Sequence, residues 1–289
     1  MTLARTPAVS ATTLVAGVAG APISHSLSPL IHNAWIAAAG IDAVYVGFAP
    51  PLDGFTRFAL GLRGGVVRGL NVTAPFKEEA LTLADRPSDR ARRAGAANLL
   101  IFEADGTIGA DNTDGEGLLA AFAAQAPGFD PAAGPAVILG AGGAAMGAAA
   151  AFLDAGAPAL RIVGRTAARA RALASALGEV VQAFAVEDAS RALADAAAIV
   201  NATPLGSNDG DQLAIPLAAA PADVVVVDMV YRPLDTALLR QARARGSRTV
   251  DGLAMLIGQA TPSFALLFGR RAPALDVRRL ALAALERRS

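Results

Sequence analysis

Residues 136–145 read AVILGAGGAA, a short apolar run that ends in a cluster of glycine and alanine. Such a run is typical of a buried strand, and the segment after it has the composition of a helix. The glycines match the pattern G-x-G-x-x-A, in which Gly140 permits a tight turn and Gly142 allows a phosphate to approach the backbone. A small residue at Ala145 lets the helix pack closely on the strand. The stretch therefore predicts a dinucleotide site, with the pyrophosphate against free N–H groups at the helix start.

The next predicted strand, LRIVG (160–164), indicates which dinucleotide is bound. NAD sites normally place an acidic side chain about 20 residues beyond the glycines, where it binds the ribose 2′-hydroxyl. Here Arg165, Thr166 and Arg169 follow the strand instead. Two arginines four residues apart can lie on one side of a starting helix and grip a 2′-phosphate. The alternative is that arginine is simply the general surface cation of this chain, but the position favours NADP(H) over NAD(H).

Alternating strands and helices extend on both sides of this segment. Earlier strands are predicted at 13–19, 43–49, 69–73 and 98–103, and later ones at 136–140, 160–164, 197–201 and 222–230. Helices are predicted at 28–40, ending at Gly40, at 75–85, with Pro75 in the first turn, and at 116–125; from Asp251 the pattern is helical. This rhythm predicts an α/β protein with two α/β domains, each with a mostly parallel sheet covered by helices.

The composition excludes several classes of protein. The chain has 289 residues, 54% of them hydrophobic, with 25 basic and 25 acidic side chains, which argues against a nucleic-acid partner. It has no cysteine, and two histidines make a poor metal site, so we expect no metal. The uncharged run 136–153 and the apolar run after Arg5 imitate a membrane span and a signal peptide, but both are interpreted as strands with the turns that follow. We expect a soluble, cytoplasmic protein with no membrane partner.

Lys77, in NVTAPFKEEA (71–80), is the only lysine among the 25 basic residues. Arginine is effectively never deprotonated, whereas lysine can give up a proton and recover it. A chain that otherwise uses arginine would keep lysine where proton transfer is needed. The alternative is an exposed helix residue that pairs with Glu78 or Glu79.

Ser26 and Ser28 lie in GAPISHSLSPLIHN (20–33), where a loop opens a predicted helix. Two hydroxyls beside free helix N–H groups would hold a carboxylate well. Ser28 could instead act as the N-cap before Pro29, an alternative that leaves Ser26 unexplained.

Nine segments occur in one order: SHSLSP with HN, NVTAPFKEEA, AGAANLL, DNTDGEG, GAGGAA, GRTAAR, VNATPLG, DMVYRP and DGLAMLIGQA. Together, over residues 12 to 270, the chain closely resembles the NADP-dependent shikimate dehydrogenases. The resemblance implies reduction of 3-dehydroshikimate to shikimate by NADPH, in the biosynthesis of aromatic amino acids. It also implies a substrate-binding catalytic domain at 12–115, completed by C-terminal helices at 252–289, and a Rossmann-type NADP-binding domain at 116–251.

The resemblance further implies roles for individual residues. Lys77 and Asp114 would form the catalytic pair, although Asp114 could also cap the following helix. The substrate would be bound by Ser26, Ser28, Asn71, Thr73, Asn98 and Gln259. The cofactor would be bound by Gly140, Ala141, Gly142, Gly143 and Ala144 at the pyrophosphate, by Arg165, Thr166 and Arg169 at the adenosine phosphate, by Met229, Tyr231 and Gly252 at the nicotinamide, and by Thr203. Gly164 departs from the family, which often has asparagine there.

Other activities stay open at this point. A paralogue could act on quinate or on an amino-substituted shikimate, although the intact SLS segment favours shikimate because quinate carries an extra ring hydroxyl near the carboxylate. A non-enzymatic regulator that binds NADP(H) or shikimate would have no need of Lys77 with Asp114. The expected partner is a small-molecule substrate, and the protein is expected to be a monomer or a homodimer.

Overall fold

The computed structural model describes residues 9–207 and 214–287, in which strands and helices alternate. The strands are β1 (Leu14–Ala19), β2 (Ala43–Phe48), β3 (Val67–Val72), β4 (Arg86–Pro87), β5 (Leu99–Phe102), β6 (Ile108–Asp111), β7 (Ala136–Leu139), β8 (Leu160–Gly164), β9 (Val181–Ala185), β10 (Ala198–Asn201), β11 (Val225–Asp228) and β12 (Arg248–Val250). The α-helices are α1 (Ser28–Ala39), α2 (Phe55–Leu60), α3 (Lys77–Leu83), α4 (Asp89–Ala94), α5 (Asp114–Gln125), α6 (Gly143–Asp154), α7 (Ala167–Leu177), α8 (Ala189–Leu193), α9 (Ala237–Ala244), α10 (Gly252–Phe268) and α11 (Val277–Glu286).

The chain divides into two compact units. The first contains residues up to Thr113 together with those from Gln259 onward, and the second runs from Asp114 to Gly258. The sequence placed the divisions after residues 115 and 251. Helix α10 runs unbroken from Gly252 to Phe268, so the second division falls inside a helix and no loop marks it in the sequence.

The sheet of the first unit has the strand order β2-β1-β3-β5-β6-β4. Strands β2, β1 and β3 are parallel, as the βαβ rhythm predicts. Strand β5, however, runs antiparallel to β3 and to β6. The antiparallel pairing of β5 with β6 follows from their short connection, which turns at Gly106 with a φ of 80°. A loop of this length joins antiparallel neighbours, because a parallel crossover needs a dozen or more residues.

Helix α1 spans the predicted segment and ends at Gly40, whose φ of 61° is in the left-handed region. Its exposed Asn33 lies against β2, the edge strand of the sheet. The Asn33 side chain accepts a hydrogen bond from the backbone N–H of Tyr45 (2.9 Å) and donates one to its carbonyl oxygen (2.7 Å). Helix α1 therefore pairs with the sheet edge through a side chain.

Helix α3 begins at Lys77, and the prediction that Pro75 occupies its first turn is wrong. Residues 74–76 form a turn after β3, and the N–H of Phe76 donates to the carbonyl oxygen of Thr73 (3.1 Å). The buried ring of Phe76 stacks on that of Phe55 at 4.7 Å, which anchors the turn in the core. The later start makes Lys77 the first residue of the helix.

The sheet of the second unit is parallel throughout, with the order β12-β11-β10-β7-β8-β9. Strand β7, which carries the glycine segment, lies at the centre, and the chain order reverses between β7 and β10. This is the doubly wound order of a Rossmann-type domain, which confirms the predicted fold class.

Alternate residues of β7 pack on opposite faces of this sheet. Ala136 and Ile138 belong to one hydrophobic cluster, and Val137 and Leu139 belong to the other. Residues 136–153 thus form a strand, a turn and a helix, as predicted. Within residues 9–207 and 214–287, none of the helices combines the length and the hydropathy needed to span a lipid bilayer.

Candidate active site

The glycine turn after β7 is shaped by close contacts. Gly140 has a φ of 116°, and a Cβ atom there would lie 3.1 Å from Cγ2 of Thr203 and 3.2 Å from the carbonyl oxygen of Ala202. Its N–H donates to the carbonyl oxygen of Val163 (2.8 Å). Both the conformation and the crowding exclude a side chain, which is the reason that the sequence pattern requires glycine here.

Gly142 is the N-cap of α6, and among the described residues no heavy atom lies within 4 Å of the position that its Cβ would take. The backbone at 141–144 is therefore accessible from that side. The first N–H groups of a helix have no partner within the helix, and the N-cap glycine has no side chain to bond them. Ala145 is fully buried, which allows α6 to lie close to the sheet. The residues present fit a pyrophosphate.

Arg165, Thr166 and Arg169 are exposed and lie together where β8 leads into α7. Thr166 is the N-cap of α7, and Arg169 is in its first turn. The helix dipole disfavours cations at this end of a helix, so it gives no reason for two arginines here. They suit an anion that both the dipole and the guanidinium groups attract. This is the arrangement expected for a 2′-phosphate.

The loops after β10 and β11 form a buried polar network. The carboxylate of Asp228 accepts hydrogen bonds from Nδ2 of Asn201 (2.9 Å), the N–H of Val230 (3.0 Å) and the hydroxyl of Thr236 (2.7 Å). Oδ1 of Asn201 accepts from the N–H and the hydroxyl of Thr203 (3.0 and 2.7 Å). Burial raises the pKa of the Asp228 carboxyl, and its hydrogen bonds oppose that rise. Thr203 is thereby held beside the Gly140 turn.

Gly252, the first residue of α10, lies against the segment after β11. A Cβ atom there would be 2.5 Å from the carbonyl oxygen of Met229 and 2.6 Å from that of Val230. The N–H of Met229 donates to the carbonyl oxygen of Asn201 (3.1 Å). Met229, Tyr231 and Gly252 are thus neighbours within the second unit.

In the first unit, the SLS segment leads into α1. Ser28 is almost fully buried, Ser26 is half-buried, and Oγ of Ser26 accepts a hydrogen bond from the N–H of Ser28 (3.2 Å). The alternative that Ser28 is the N-cap is wrong, because Leu27 takes that place and Ser28 is the first helical residue. Two serines therefore stand at the start of this helix, a suitable place for a carboxylate.

Amide side chains from three elements meet in the interior of this unit. Asn71, on β3, accepts from the hydroxyl of Tyr45 (2.8 Å) and donates to Oγ of Ser263 (3.0 Å) and the carbonyl oxygen of Asn98 (3.2 Å). Oδ1 of Asn98 accepts from the N–H of Thr113 (2.8 Å). Its amide nitrogen donates to the hydroxyl oxygen of the same threonine (3.0 Å).

Thr113 links this group to α10. Its hydroxyl lies 3.0 Å from that of Ser263 and 3.1 Å from the carbonyl oxygen of Gln259. Nδ2 of Asn98 is 3.4 Å from Oε1 of Gln259. Three of the six predicted substrate residues, Asn71, Asn98 and Gln259, are therefore joined in one neutral network of hydrogen bonds.

Lys77 is tied to the same network through the backbone. Its carbonyl oxygen accepts from the N–H of Ala97 (2.8 Å), and the carbonyl oxygen of Asn98 accepts from the N–H of Val72 (2.8 Å). Lys77 is half-buried. Glu79, one of the two glutamates that could have paired with it, accepts at Oε1 from the backbone N–H of Thr56 (3.0 Å) and from its hydroxyl.

The two aspartates of DNTD have different surroundings. Asp111 ends β6, where Arg90 and Ser88 hold its two oxygens. Burial alone would raise the pKa of Asp111, but the hydrogen bonds from Arg90, Ser88 and the backbone hold it below the usual value. Asp114 is buried at the start of α5 and is the first residue of the second unit. The structure thus gives Asp111 a structural role.

Sequence reasoning missed several members of these networks. Thr113, Asn201 and Asp228 stand inside the conspicuous segments DNTDGEG, VNATPLG and DMVYRP, so a buried role could have been inferred for them. Tyr45 and Ser263 stand in ordinary apolar strand and helix patterns, which hold no sign of a hydrogen-bonding role. Among residues 9–207 and 214–287, no three His, Asp or Glu side chains are grouped so as to hold a metal ion.

Comparisons with known proteins agree with this arrangement. Residues 18–100 match the model of the shikimate dehydrogenase substrate binding domain, and residues 126–208 match that of shikimate / quinate 5-dehydrogenase. A curated shikimate dehydrogenase (NADP(+)) from Caulobacter vibrioides is 58% identical over 96% of this chain and 98% of its own length.

Two solved structures are also similar. Shikimate 5-dehydrogenase from Thermus thermophilus, in complex with NADP(H) and shikimate, is 36% identical with a TM-score of 0.80, over 90% of this chain and 95% of that one. Quinate dehydrogenase from Corynebacterium glutamicum, in complex with NAD, is 30% identical with a TM-score of 0.83, over 94% and 99%. The resemblance indicated by the nine sequence segments is confirmed, and the chain belongs to the shikimate dehydrogenase family.

Proposed function

We propose that this chain catalyses the reversible reduction of 3-dehydroshikimate to shikimate with NADPH. The observation that carries the proposal is the position of Lys77. Lys77 is the only lysine of the chain and the first residue of α3. Its carbonyl oxygen accepts a hydrogen bond from the N–H of Ala97, the residue before Asn98, which belongs to the network of neutral amides and hydroxyls. The similarity to NADP-dependent shikimate dehydrogenases supports the same conclusion.

The substrate is an anion with several hydroxyl groups, and the first unit offers a different group for each part. Ser26 and Ser28 are proposed to bind the carboxylate. Asn71, Thr73, Asn98 and Gln259 are proposed to bind the ring oxygens. Both polar atoms of the Asn98 side chain are hydrogen-bonded to Thr113, which holds this amide in one orientation for a substrate oxygen.

The cofactor is proposed to bind to the second unit. The turn at residues 140–144 suits the pyrophosphate, and Arg165, Thr166 and Arg169 suit the 2′-phosphate. Thr203, Met229 and Tyr231 lie in the loops after β10 and β11, and Gly252 begins α10. When bound, NADPH supplies the hydride that reduces the carbonyl carbon of the substrate.

Lys77 is proposed to supply the proton. As the carbonyl carbon is reduced, the carbonyl oxygen gains negative charge and needs both a proton and a nearby cation. The ammonium group of Lys77 provides both, and the neutral amine then takes a proton from solvent. In the oxidation direction the neutral amine accepts the hydroxyl proton. Asp114 is proposed as the second member of the catalytic pair.

The decisive experiment is an assay of the purified protein with shikimate and NADP⁺, followed by the absorbance of NADPH. We expect turnover with this pair and at most weak turnover when NAD⁺ replaces NADP⁺. Absence of turnover with tight binding of either ligand would contradict the proposal and favour a regulator.

A quinate-oxidising activity is the second candidate, because the chain is also similar to a quinate dehydrogenase. Quinate carries an additional hydroxyl beside its carboxylate. Leu27 and Ser28, in the segment proposed to bind the carboxylate, are almost fully buried, which favours the smaller substrate. The same assay with quinate decides this point, since a kcat/KM at least equal to that for shikimate would overturn the preference for shikimate.

The proposal includes a cytoplasmic location and a monomeric or homodimeric state.

A further inference from the structure

We propose that Asp228 is a positioning residue for the cofactor: its buried carboxylate holds the loops after β10 and β11 in the arrangement that binds NADP(H). The inference rests on the proposed function, because it takes Thr203 and Met229 to be cofactor contacts. Asp228 itself is not proposed to touch the cofactor or the substrate.

The position of Asp228 in the sheet is the first argument. It is the last residue of β11 and is fully buried. Strand β11 adjoins β10, which in turn adjoins β7. In open parallel sheets, ligands bind outside the carboxyl ends of the strands at the point where the strand order reverses, which here lies between β10 and β7. Asp228 therefore lies one strand away from that point.

The second argument is the number of donors that this carboxylate serves. Oδ1 accepts from Asn201 and from the backbone of Val230, and Oδ2 accepts from Thr236. The three donors come from three different segments of the chain. A carboxylate is an acceptor only, so it satisfies all three, whereas an amide would turn an N–H group toward one of them.

The third argument concerns the orientation of Asn201. Because its Nδ2 faces Asp228, its Oδ1 faces Thr203 and accepts both the N–H and the hydroxyl. The hydroxyl of Thr203 accepts in turn from the N–H of Leu205 (3.2 Å). Cγ2 of Thr203 is 3.1 Å from the position a Cβ would take at Gly140. The carboxylate thus determines the amide orientation, which determines where the loop meets the glycine turn.

A purely structural role explains these contacts less well. A buried carboxylate costs stability unless it is fully hydrogen-bonded, and an apolar residue at the end of a buried strand would pack without that cost. What the carboxylate adds is a defined geometry for two neighbouring loops.

The test uses the Asp228→Asn variant and measures binding of NADPH and of shikimate separately. We expect the Kd of NADPH, measured by fluorescence titration without shikimate, to rise about tenfold or more. The Kd of shikimate, measured by calorimetry, should stay within about twofold of the wild-type value. The matched control is Asp195→Asn, which removes an exposed carboxylate of the same unit and should leave both constants unchanged.

A folded Asp228→Asn variant that melts earlier but binds both ligands with wild-type affinity would overturn the inference. Asn201→Ala covers the case in which that variant does not fold, and it should weaken NADPH binding with the same selectivity. Where both fold, the double variant should bind NADPH no more weakly than the weaker single variant, because the two residues act through one network. Additive losses would contradict this. If the wild-type protein binds NADPH but does not oxidise shikimate, the proposed function fails while these NADPH constants still decide the role of Asp228.

Discussion

The two units of this protein build their buried polar networks from different chemistry. In the first unit the members are neutral amides and hydroxyls, namely Asn71, Asn98, Thr113, Gln259 and Ser263. In the second unit the network centres on one carboxylate, Asp228. Amides and hydroxyls both donate and accept, which suits a ligand with several hydroxyl groups. A carboxylate only accepts, so it can orient the N–H and hydroxyl groups of the loops around it. Phosphate binding is proposed for the backbone N–H groups of the glycine turn and for the arginines.

Because the two networks belong to different units, we expect that substrate binding and cofactor binding can be altered separately. Changes in the first network should alter substrate constants, and changes near the glycine turn should alter cofactor constants. Lys77 is the exception, because its proposed role is in the chemical step.

The largest effect is expected from Lys77→Arg. The variant keeps the positive charge but loses the proton donor, so kcat should fall by about 10²- to 10⁴-fold. Steady-state kinetics with shikimate and NADP⁺ measure this. The matched control is Arg57→Lys on α2, which changes the same two residue types at an exposed position and should leave kcat unaltered. Near-normal turnover of Lys77→Arg would end the assignment of the proton carrier.

The second largest effect concerns the cofactor side of the comparison. Replacing Arg165 and Arg169 together by alanine should raise the KM for NADP⁺ about 10- to 100-fold, since two charge-assisted hydrogen bonds are lost. The KM for NAD⁺ and for shikimate should change little. Arg171→Ala, an exposed arginine farther along α7, serves as the control. An equal loss with both cofactors would rule out the 2′-phosphate role.

A smaller effect is expected on the substrate side from Tyr45→Phe. Loss of the hydroxyl leaves Oδ1 of Asn71 without this buried donor, which should cost about 1–3 kcal/mol of unfolding free energy. The freed amide should also raise the KM for shikimate several-fold while the KM for NADP⁺ stays constant. Parallel changes in the two Michaelis constants would show that the network is not specific to the substrate.

The last effect is a pH dependence of stability, which should leave both Michaelis constants unchanged at neutral pH. His32 is fully buried against Tyr45 and Trp35, and burial lowers its pKa from 6.5 to about 3. The folded state therefore keeps His32 neutral, and its contribution to stability is present above pH 6.5 and is lost as the pH falls toward 3. At pH 5 the loss should be about 2 kcal/mol.

Urea unfolding of the wild type and of His32→Phe at pH 7 and pH 5 measures this contribution. The variant should show a shallower loss of unfolding free energy between the two pH values. Identical losses would mean that His32 is not the group responsible.

Much of the second unit could be predicted from local sequence. The apolar run and the glycines at 136–145 determine a strand, a turn and a helix through contacts between near neighbours. The place of the two arginines, where β8 leads into α7, could likewise be predicted from the residues next to them. The first unit was less predictable. The direction of β5 depends on a turn around Gly106, and the start of α3 depends on where Phe76 packs.

The interior network was least visible in the sequence. Asn71 and Ser263 are far apart in the chain, and their hydrogen bond exists only because α10 packs on β3. Nothing in the local pattern around Ser263 distinguishes it from any small residue of a buried helix. Side chains joined only by tertiary contacts are in this sense beyond the periodicity arguments.

The contact between Asn33 and Tyr45 has a consequence for the behaviour of this protein in crowded solution. An edge strand normally offers unpaired backbone groups to any extended peptide, which makes it a starting point for intermolecular strand addition. At Tyr45 the carboxamide of Asn33 already forms hydrogen bonds with the backbone N–H and the carbonyl oxygen, as a neighbouring strand would. A strand from another molecule would have to displace that carboxamide before it could pair with β2 at Tyr45. Helix α1 therefore hinders intermolecular strand addition at this position of the edge strand.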